Sequence, residues 1–377
     1  KWRQVYLLNP EDVFPSILVI PSVDVDYSGV LITKGINSGN DKDLTVAFSR
    51  GAGGAVDGQI AETRLVTAET DFMLAPARES GYLRLPKGAN KVPIVIRTHS
   101  SGGPHDYIWD DFVYHSTQNL LKEGIGVMYI DNFCPRGARS TWRDQSKVPL
   151  INGAIDALMA LKVLQSHPRS NGKFGTSGHS RGGTNSFFLA DVKLTSKFLG
   201  GTKGFDAILP EAAECRMAGF FAEPELTSNT TLLVVHGGAD DYTLAKFCKE
   251  HAERIKAPPG KVKIDIKEGW YHNWHAGKKP WRERMAMTLH DCPDFYVDNE
   301  GKFTNPTWVE WMVNKHKKYP SVEAFYETAQ TDPRKAWKTA FKIMKKEKCI
   351  SKGVTIGGDN ADAYMPQFIN FFKGNLL

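Results

Sequence analysis

Between residues 81 and 277 short apolar runs alternate with longer segments of helical periodicity. "GYLRLPKGANKVPIVIRTHSSGGP" reads as a strand, a Pro-Lys-Gly-Ala-Asn turn, a buried strand over 92–98 and a glycine-containing loop. "GIGVMYIDNF" is another buried strand, ending in a polar loop. In "LINGAIDALMALKVLQ", Ile151, Ala154, Leu158, Leu161 and Leu164 recur at helical spacing until Pro168 and Gly172 stop the pattern. The strand "KFGTSG", a helix from about Arg181, the strand "TLLVVHGG", a helix near 244–255 and the strand "KVKIDIKEG" follow. Such alternation requires parallel pairing with right-handed crossovers. It predicts an α/β fold: a mainly parallel sheet with helices on both faces and a site at the carboxyl ends of its strands.

The flanking segments read differently. Residues 1–80 carry apolar runs ("SILVI", "GVLIT", "LTVAF") separated by Gly, Asn, Asp and Pro, which predicts a strand-rich extension packed on the core. Residues 278–359 are rich in Trp, Lys and Tyr with helical patterns ("PTWVEWMVNKHKKY", "VEAFYETAQ", "PRKAWKTAFKIMKK"), and are read as a helical insertion before a final core helix over 360–377. Its place directly after the last loop of the core makes a lid the expectation, with a packing or oligomer surface as the alternative. Trp308 and Trp311, at i and i+3, would share one apolar face.

Composition narrows the function classes. A chain of 377 residues can bury a large core, and 41% hydrophobic with 24% charged residues is the balance of a globular protein. No apolar run is long enough to span a bilayer. The net charge of +6 is modest, and the basic clusters at Lys315–Lys318 and Lys342–Lys348 are interleaved with acids, so nucleic acid is not the expected partner. Five cysteines (134, 215, 248, 292 and 349) show neither C-x-x-C spacing nor a grouping with histidine, so no metal site is expected. Cys292 and Cys349 flank a separate segment and would bridge in an exported protein, and Cys134 is expected as a packed small hydrophobe. The chain begins at Lys1 without a methionine; a removed signal peptide, and with it a periplasmic or secreted location, is the expectation, with a cytoplasmic location as the alternative.

The chemistry concentrates in "FGTSGHSRGGT". Gly178 and Gly182 around Ser180 complete G-x-S-x-G, here between a strand and a helix, the context in which the serine is exposed on a sharp turn. The alternative is a glycine-rich turn whose serine caps the helix. A serine hydroxyl is a poor nucleophile and needs a base, usually histidine, oriented by a carboxylate. "LLVVHGGADDYT" ends a strand in a loop with Asp240 and Asp241, and "IDIKEGWYHNWHAG" ends the next with His272 and His275. Serine, carboxylate and histidine thus follow in the chain order this architecture uses.

On these motifs, residues 81–277 resemble the α/β-hydrolase superfamily, in particular its dienelactone hydrolase-like and prolyl-oligopeptidase-like esterase branches. In that family a strand followed by HGxxD carries the triad aspartate, so "HGGAD" implies Asp240 rather than Asp241. The family histidine follows the last strand after a short glycine turn and precedes an aromatic by two, as in "EGWYHNW", which implies His272 and leaves His275 as a loop or surface histidine. The resemblance implies a serine hydrolase that cleaves a carboxylic ester, on a small molecule or a polymer, without cofactor or metal. Oxyanion donors are expected from the backbone N–H of Arg181 and from the loop "THSSGGPHD", at Ser100 and then Ser101, although this chain reads His-Ser-Ser-Gly where family members often read His-Gly-Gly.

Candidate pocket residues are His99, Arg136, Trp270, Tyr271 and Trp274, with core packing an equal reading of the three aromatics. The loop "DNFCPRGARSTWRD" brings Arg136, Arg139, Arg143 and Trp142, either to favour an anionic acid portion or to pair with Asp131 and Asp144. A peptidase or thioesterase of the same fold, or a binding protein that kept the fold, are the competing readings.

Overall fold

In the computed structural model, residues 80–377 are described, apart from 89, 105–109, 219, 220 and 299, together with three strands before them. These strands, β1 (Tyr27–Ile32), β2 (Leu44–Arg50) and β3 (Thr63–Thr67), form an antiparallel sheet in the order β1-β2-β3. The "SILVI" run and the expected packing of this segment on the core lie outside the described residues. The chain divides into two compact units, 1–68 and 69–377.

The larger unit is built on a seven-stranded sheet. Its strands are β4 (Ser80–Arg84), β5 (Val92–Thr98), β6 (Gly126–Asp131), β7 (Ser170–His179), β8 (Ala207–Glu211), β9 (Thr231–Gly237) and β10 (Val262–Lys267), in the order β10-β9-β8-β7-β5-β6-β4. All pair in parallel except β4, which runs antiparallel to β6. After β6 the chain crosses back and lays β7 on the other side of β5, so the winding reverses between β5 and β7. The carboxyl ends of that pair are where an open α/β sheet leaves a crevice for a ligand.

The central strands are buried because both faces of the sheet are covered. In β5 all seven residues are buried, and alternation sends Ile94 and Ile96 to one face and Val95 to the other. Against the first face pack α2 (Ile151–Gln165), α3 (Arg181–Phe188), α4 (Val192–Leu199) and α6 (Ala245–Arg254), through Leu158, Phe187, Phe198 and Phe247. Against the second packs α1 (Asp111–Lys122), through Phe112 and Leu120, its N-terminus capped by Asp110, which accepts from the Val113 N–H at 3.0 Å. The short α5 (Cys215–Ala218) follows β8.

Beyond Gly277 the helical expectation is incomplete. The segment opens with β11 (Lys278–Thr288), paired antiparallel with β12 (Ser351–Gly358), from Lys278 opposite Gly358 to Thr288 opposite Ser351. Most of β11 is solvent-exposed, so "KKPWRERMAMT" has no half-buried face and gives no alternation to read. Between the two strands lie α7 (Thr307–Val309, continued by a wider turn to Lys315), α8 (Val322–Thr331) and α9 (Pro333–Lys346), around their own core of Trp308, Met312, Phe325, Phe341 and Met344. The chain returns to the sheet with α10 (Ala361–Leu376), whose Phe368 and Phe372 join α1 over the second face.

Two disulfides brace the unit. Cys292–Cys349 closes the helical excursion, and Cys215–Cys248 ties α5 to α6, a pairing the cysteine spacing does not suggest. Cys134 corrects the expectation of a packed hydrophobe: it is exposed and unpaired, because the chain turns outward there and reverses at Gly137, with φ of 68°. No helix among the described residues is long and apolar enough to cross a membrane.

Candidate active site

β7 ends at His179 and α3 begins at Arg181, so the whole turn is made at Ser180, with φ 58° and ψ −118°. A non-glycine residue held there stores roughly 1–3 kcal/mol of strain. The surroundings impose it: the Ser180 N–H donates to the Glu211 carbonyl at 2.8 Å, and a Cβ on Gly178 would meet the Thr98 carbonyl oxygen at 2.6 Å. A Cβ on Gly182 would press on that same carbonyl, and one on Gly183 on that of Glu211. The glycines of the motif are thus the condition for β5, β7, β8 and α3 to converge. The serine does not cap the helix; its side chain makes no capping bond.

The carboxylate and the imidazole come from the next two strand ends. Asp240, after β9, accepts the Tyr242 and Thr243 N–H groups on Oδ1 at 2.8 and 2.9 Å, and faces His272 Nδ1 with Oδ2 at 2.7 Å. Burial works against its charge, but the His272 ring and these hydrogen bonds outweigh burial and hold the carboxyl below its usual range. His272 is buried, and its Nε2 has no protein partner. Asp241 points elsewhere: it pairs with Arg282 at 3.1 Å and accepts the Thr355 N–H at 2.6 Å, anchoring the β11–β12 ribbon.

The loop after β5 is set by His99. Its Nδ1–H donates to the Ser100 carbonyl at 2.8 Å, its Nε2 accepts the Asn132 N–H at 3.1 Å, and it meets the Phe133 ring edge-on. Burial pushes its pKa down to about 4, so the ring is a neutral brace between two strand ends. Ser101 accepts from Gln145 Nε2 on its hydroxyl at 2.8 Å and from the Thr141 N–H on its carbonyl at 2.8 Å. The Arg181 guanidinium turns away to Gln145, Val148 and Pro149, leaving its backbone N–H among the first-turn donors of α3 that have no helical acceptor.

Ser180 and His272 share a cavity of about 280 Å³ with Ser100, Ser101, Gly102, Asp110, Trp142, His179, Tyr242, Asn273 and His275, closed from the C-terminal region by Glu283, Ala286 and Ile356. None of the five expected pocket residues lines it. His99 is the brace just described; Arg136 is locked bidentately to Asp156 at 2.7 and 2.8 Å, not to Asp131 or Asp144. Trp270 and Trp274 pack into the core beneath the sheet with Tyr364, and Tyr271 is half-buried outside the cavity. His275, expected in a loop or at the surface, lies in the loop but is buried: it stacks on Phe112, lies 4.7 Å from the His179 ring, and has no hydrogen-bond partner on either nitrogen. Burial lowers its pKa to about 4 and takes His179 well below the usual value.

Tyr242, with its ring 4.7 Å from that of His272, was missed by the sequence reading, as were His179, Asn273 and Glu283. The only sequence signal for the first two was adjacency to Asp240 and Ser180. The C-terminal ribbon also holds the histidine loop, since the Gly357 N–H donates to the His272 carbonyl at 2.6 Å.

The parallel sheet, its reversal at β5 and β7, and a serine on the strand-to-helix turn decide the architecture. The fold is that of the α/β-hydrolases. No model of a known protein family matches the chain, and no curated protein matches it. Among solved structures, this chain is similar to Est1E from Butyrivibrio proteoclasticus with ferulic acid bound, at 12% identity over 52% of this chain and 88% of that one, TM-score 0.39. It is similar to a dienelactone hydrolase from Anabaena variabilis at 18% identity over 52% and 82%, TM-score 0.37. Thermogutta terrifontis esterase 2, phosphoramylated by tabun, matches at 14% identity over 52% and 79%, TM-score 0.38.

Proposed function

We propose that this protein is a serine hydrolase that cleaves a carboxylic ester through an acyl-enzyme. Ser180 Oγ attacks the acyl carbon while its proton passes to His272 Nε2. Asp240, ionised and bonded to Nδ1, fixes the tautomer that leaves Nε2 ready to accept, and stabilises the imidazolium that forms. The oxyanion is met by the Arg181 N–H and by an N–H of the Ser100–Ser101 pair. Collapse of the tetrahedral intermediate expels the alcohol, which takes the proton from His272. Water then repeats the sequence and releases the acid. No step needs a cofactor or metal.

The observation that carries this reading is the divided state of His272: one nitrogen 2.7 Å from Asp240, the other buried and without a protein partner, on a ring that lines the same cavity as a strained, uncapped serine. The test is intact mass after treatment with a fluorophosphonate. A single adduct on the wild type, absent from Ser180→Ala, is expected. Folded wild-type protein that takes no adduct would sink the reading.

A further inference from the structure

A second, smaller cavity of about 50 Å³ meets the first at Ser180, Ser101 and Tyr242. Its walls are apolar: Leu150, Met217, Met287, Leu289, Trp337 and Phe341. The last four come from the C-terminal region, and Trp337 is fixed over the site by its indole N–H, which donates to the Gln145 carbonyl at 3.1 Å. Most polar groups on this wall are already engaged. The Arg181 guanidinium and Gln145 bond each other, and Thr184 Oγ1 donates to the Ser180 carbonyl and accepts the Glu214 N–H. Thr243 Oγ1 is held between Asp240 and the Ala212 carbonyl. The remaining group is the Glu214 carboxyl, which burial raises to about 7 against the Arg216 charge; ionised above that pH, it would repel a second carboxylate brought beside it.

The two cavities have different claims on the substrate. The leaving oxygen must receive its proton from His272, and His272 lines the larger cavity and not the smaller one. The alcohol portion therefore belongs in the larger cavity. The acyl chain, on the other side of the carbon under attack, is left the space beside Arg181. At roughly 10–15 Å³ for each water-sized group, that space takes about three to five carbon-sized groups.

We infer that the smaller cavity is the acyl pocket, and that the substrate is an ester of a short, uncharged, apolar acid of at most about six carbons. This rests on the ester-hydrolase reading above. The selectivity lies in the C-terminal wall, with Phe341 and Met287 setting the depth.

The test is kcat/KM for p-nitrophenyl acetate, butyrate and octanoate and for the p-nitrophenyl monoester of succinic acid, normalised to active sites titrated with a fluorophosphonate. Acetate or butyrate is expected to exceed octanoate by about 100-fold or more, and the succinate monoester to fall well below butyrate. Phe341→Ala and, separately, Met287→Ala should raise octanoate relative to acetate by about tenfold, with unchanged titratable sites. An octanoate rate equal to butyrate in the wild type would overturn the pocket assignment while leaving the hydrolase reading standing. So would a chain-length profile unmoved in whichever variant folds. Absence of both adduct and turnover would take down the hydrolase reading itself.

Discussion

The sheet and the C-terminal region divide the work around Ser180 unequally. Ser180, Asp240, His272 and the loop after β5 all stand at carboxyl ends of parallel strands, three of them interior to the sheet and β10 its half-exposed edge. Residues 278–358 bring none of these groups, yet supply Glu283, Ala286 and Ile356 to one cavity and Met287, Leu289, Trp337 and Phe341 to the other. Reactive groups sit where the fold is most constrained. Shape is supplied by a segment with a core and a disulfide of its own.

This division can be broken by experiment, most severely at the reactive groups. Ser180→Ala should cost roughly 10⁶ in kcat without lowering Tm, and Asp240→Asn roughly 10⁴. Asp241→Asn, one residue on, should stay within a few fold, since its carboxylate serves Arg282 and Thr355; equal losses at the two aspartates in steady-state kinetics would erase the distinction. Next in size is Gly182→Ala, whose methyl would collide with the Thr98 carbonyl. A loss of about 3 kcal/mol in urea unfolding is expected. Gly201→Ala, with open space around it, should change little.

A pH series compared between the wild type and a Glu211 variant tests the sheet. Burial raises the Glu211 carboxyl to about 7 against the partial opposition of Arg97 and of the Tyr364 hydroxyl, which donates to Oε1 at 2.6 Å. Because the folded state binds this proton more tightly than the unfolded chain, the contribution is complete below pH about 4.5 and is lost as pH rises to about 7. It amounts to as much as about 3 kcal/mol. Glu211→Gln should flatten that decline in urea unfolding at pH 5 and pH 8, and an unchanged slope would count against it. The smallest effect expected is that of Arg282→Ala. Its ion pair with Asp241 is about half exposed, so the stability change should be under about 1 kcal/mol in thermal melts.

What the chain reveals before folding follows from the same division. Strands buried on both faces give apolar runs and their crossover helices are periodic, so β5, β6, β9 and α2 are legible in the pattern, while the five-residue β8, "AILPE", is too short to be read. The direction of a side chain in a loop has no period. Asp240 and Asp241 are chemically identical, and only the partner 32 residues on, His272, or 114 residues on, Thr355, separates them. For the same reason Trp270 and Trp274 read equally as pocket or core and turn out to be core, while Tyr242 and His275 lie in the site. β11 is silent because a solvated ribbon held by its ladder imposes no pattern on its side chains.

The pairing of Thr288 with Ser351 has a further consequence. The chain leaves the ribbon and re-enters it at facing positions, so residues 289–350 form a cassette with both ends in one socket. Exchanging that cassette for one of another length would leave the order of the seven strands untouched and the His272 loop still tethered through Gly357. The walls of the cavity could then change in one contiguous block of sequence while Ser180, Asp240 and His272 keep their places.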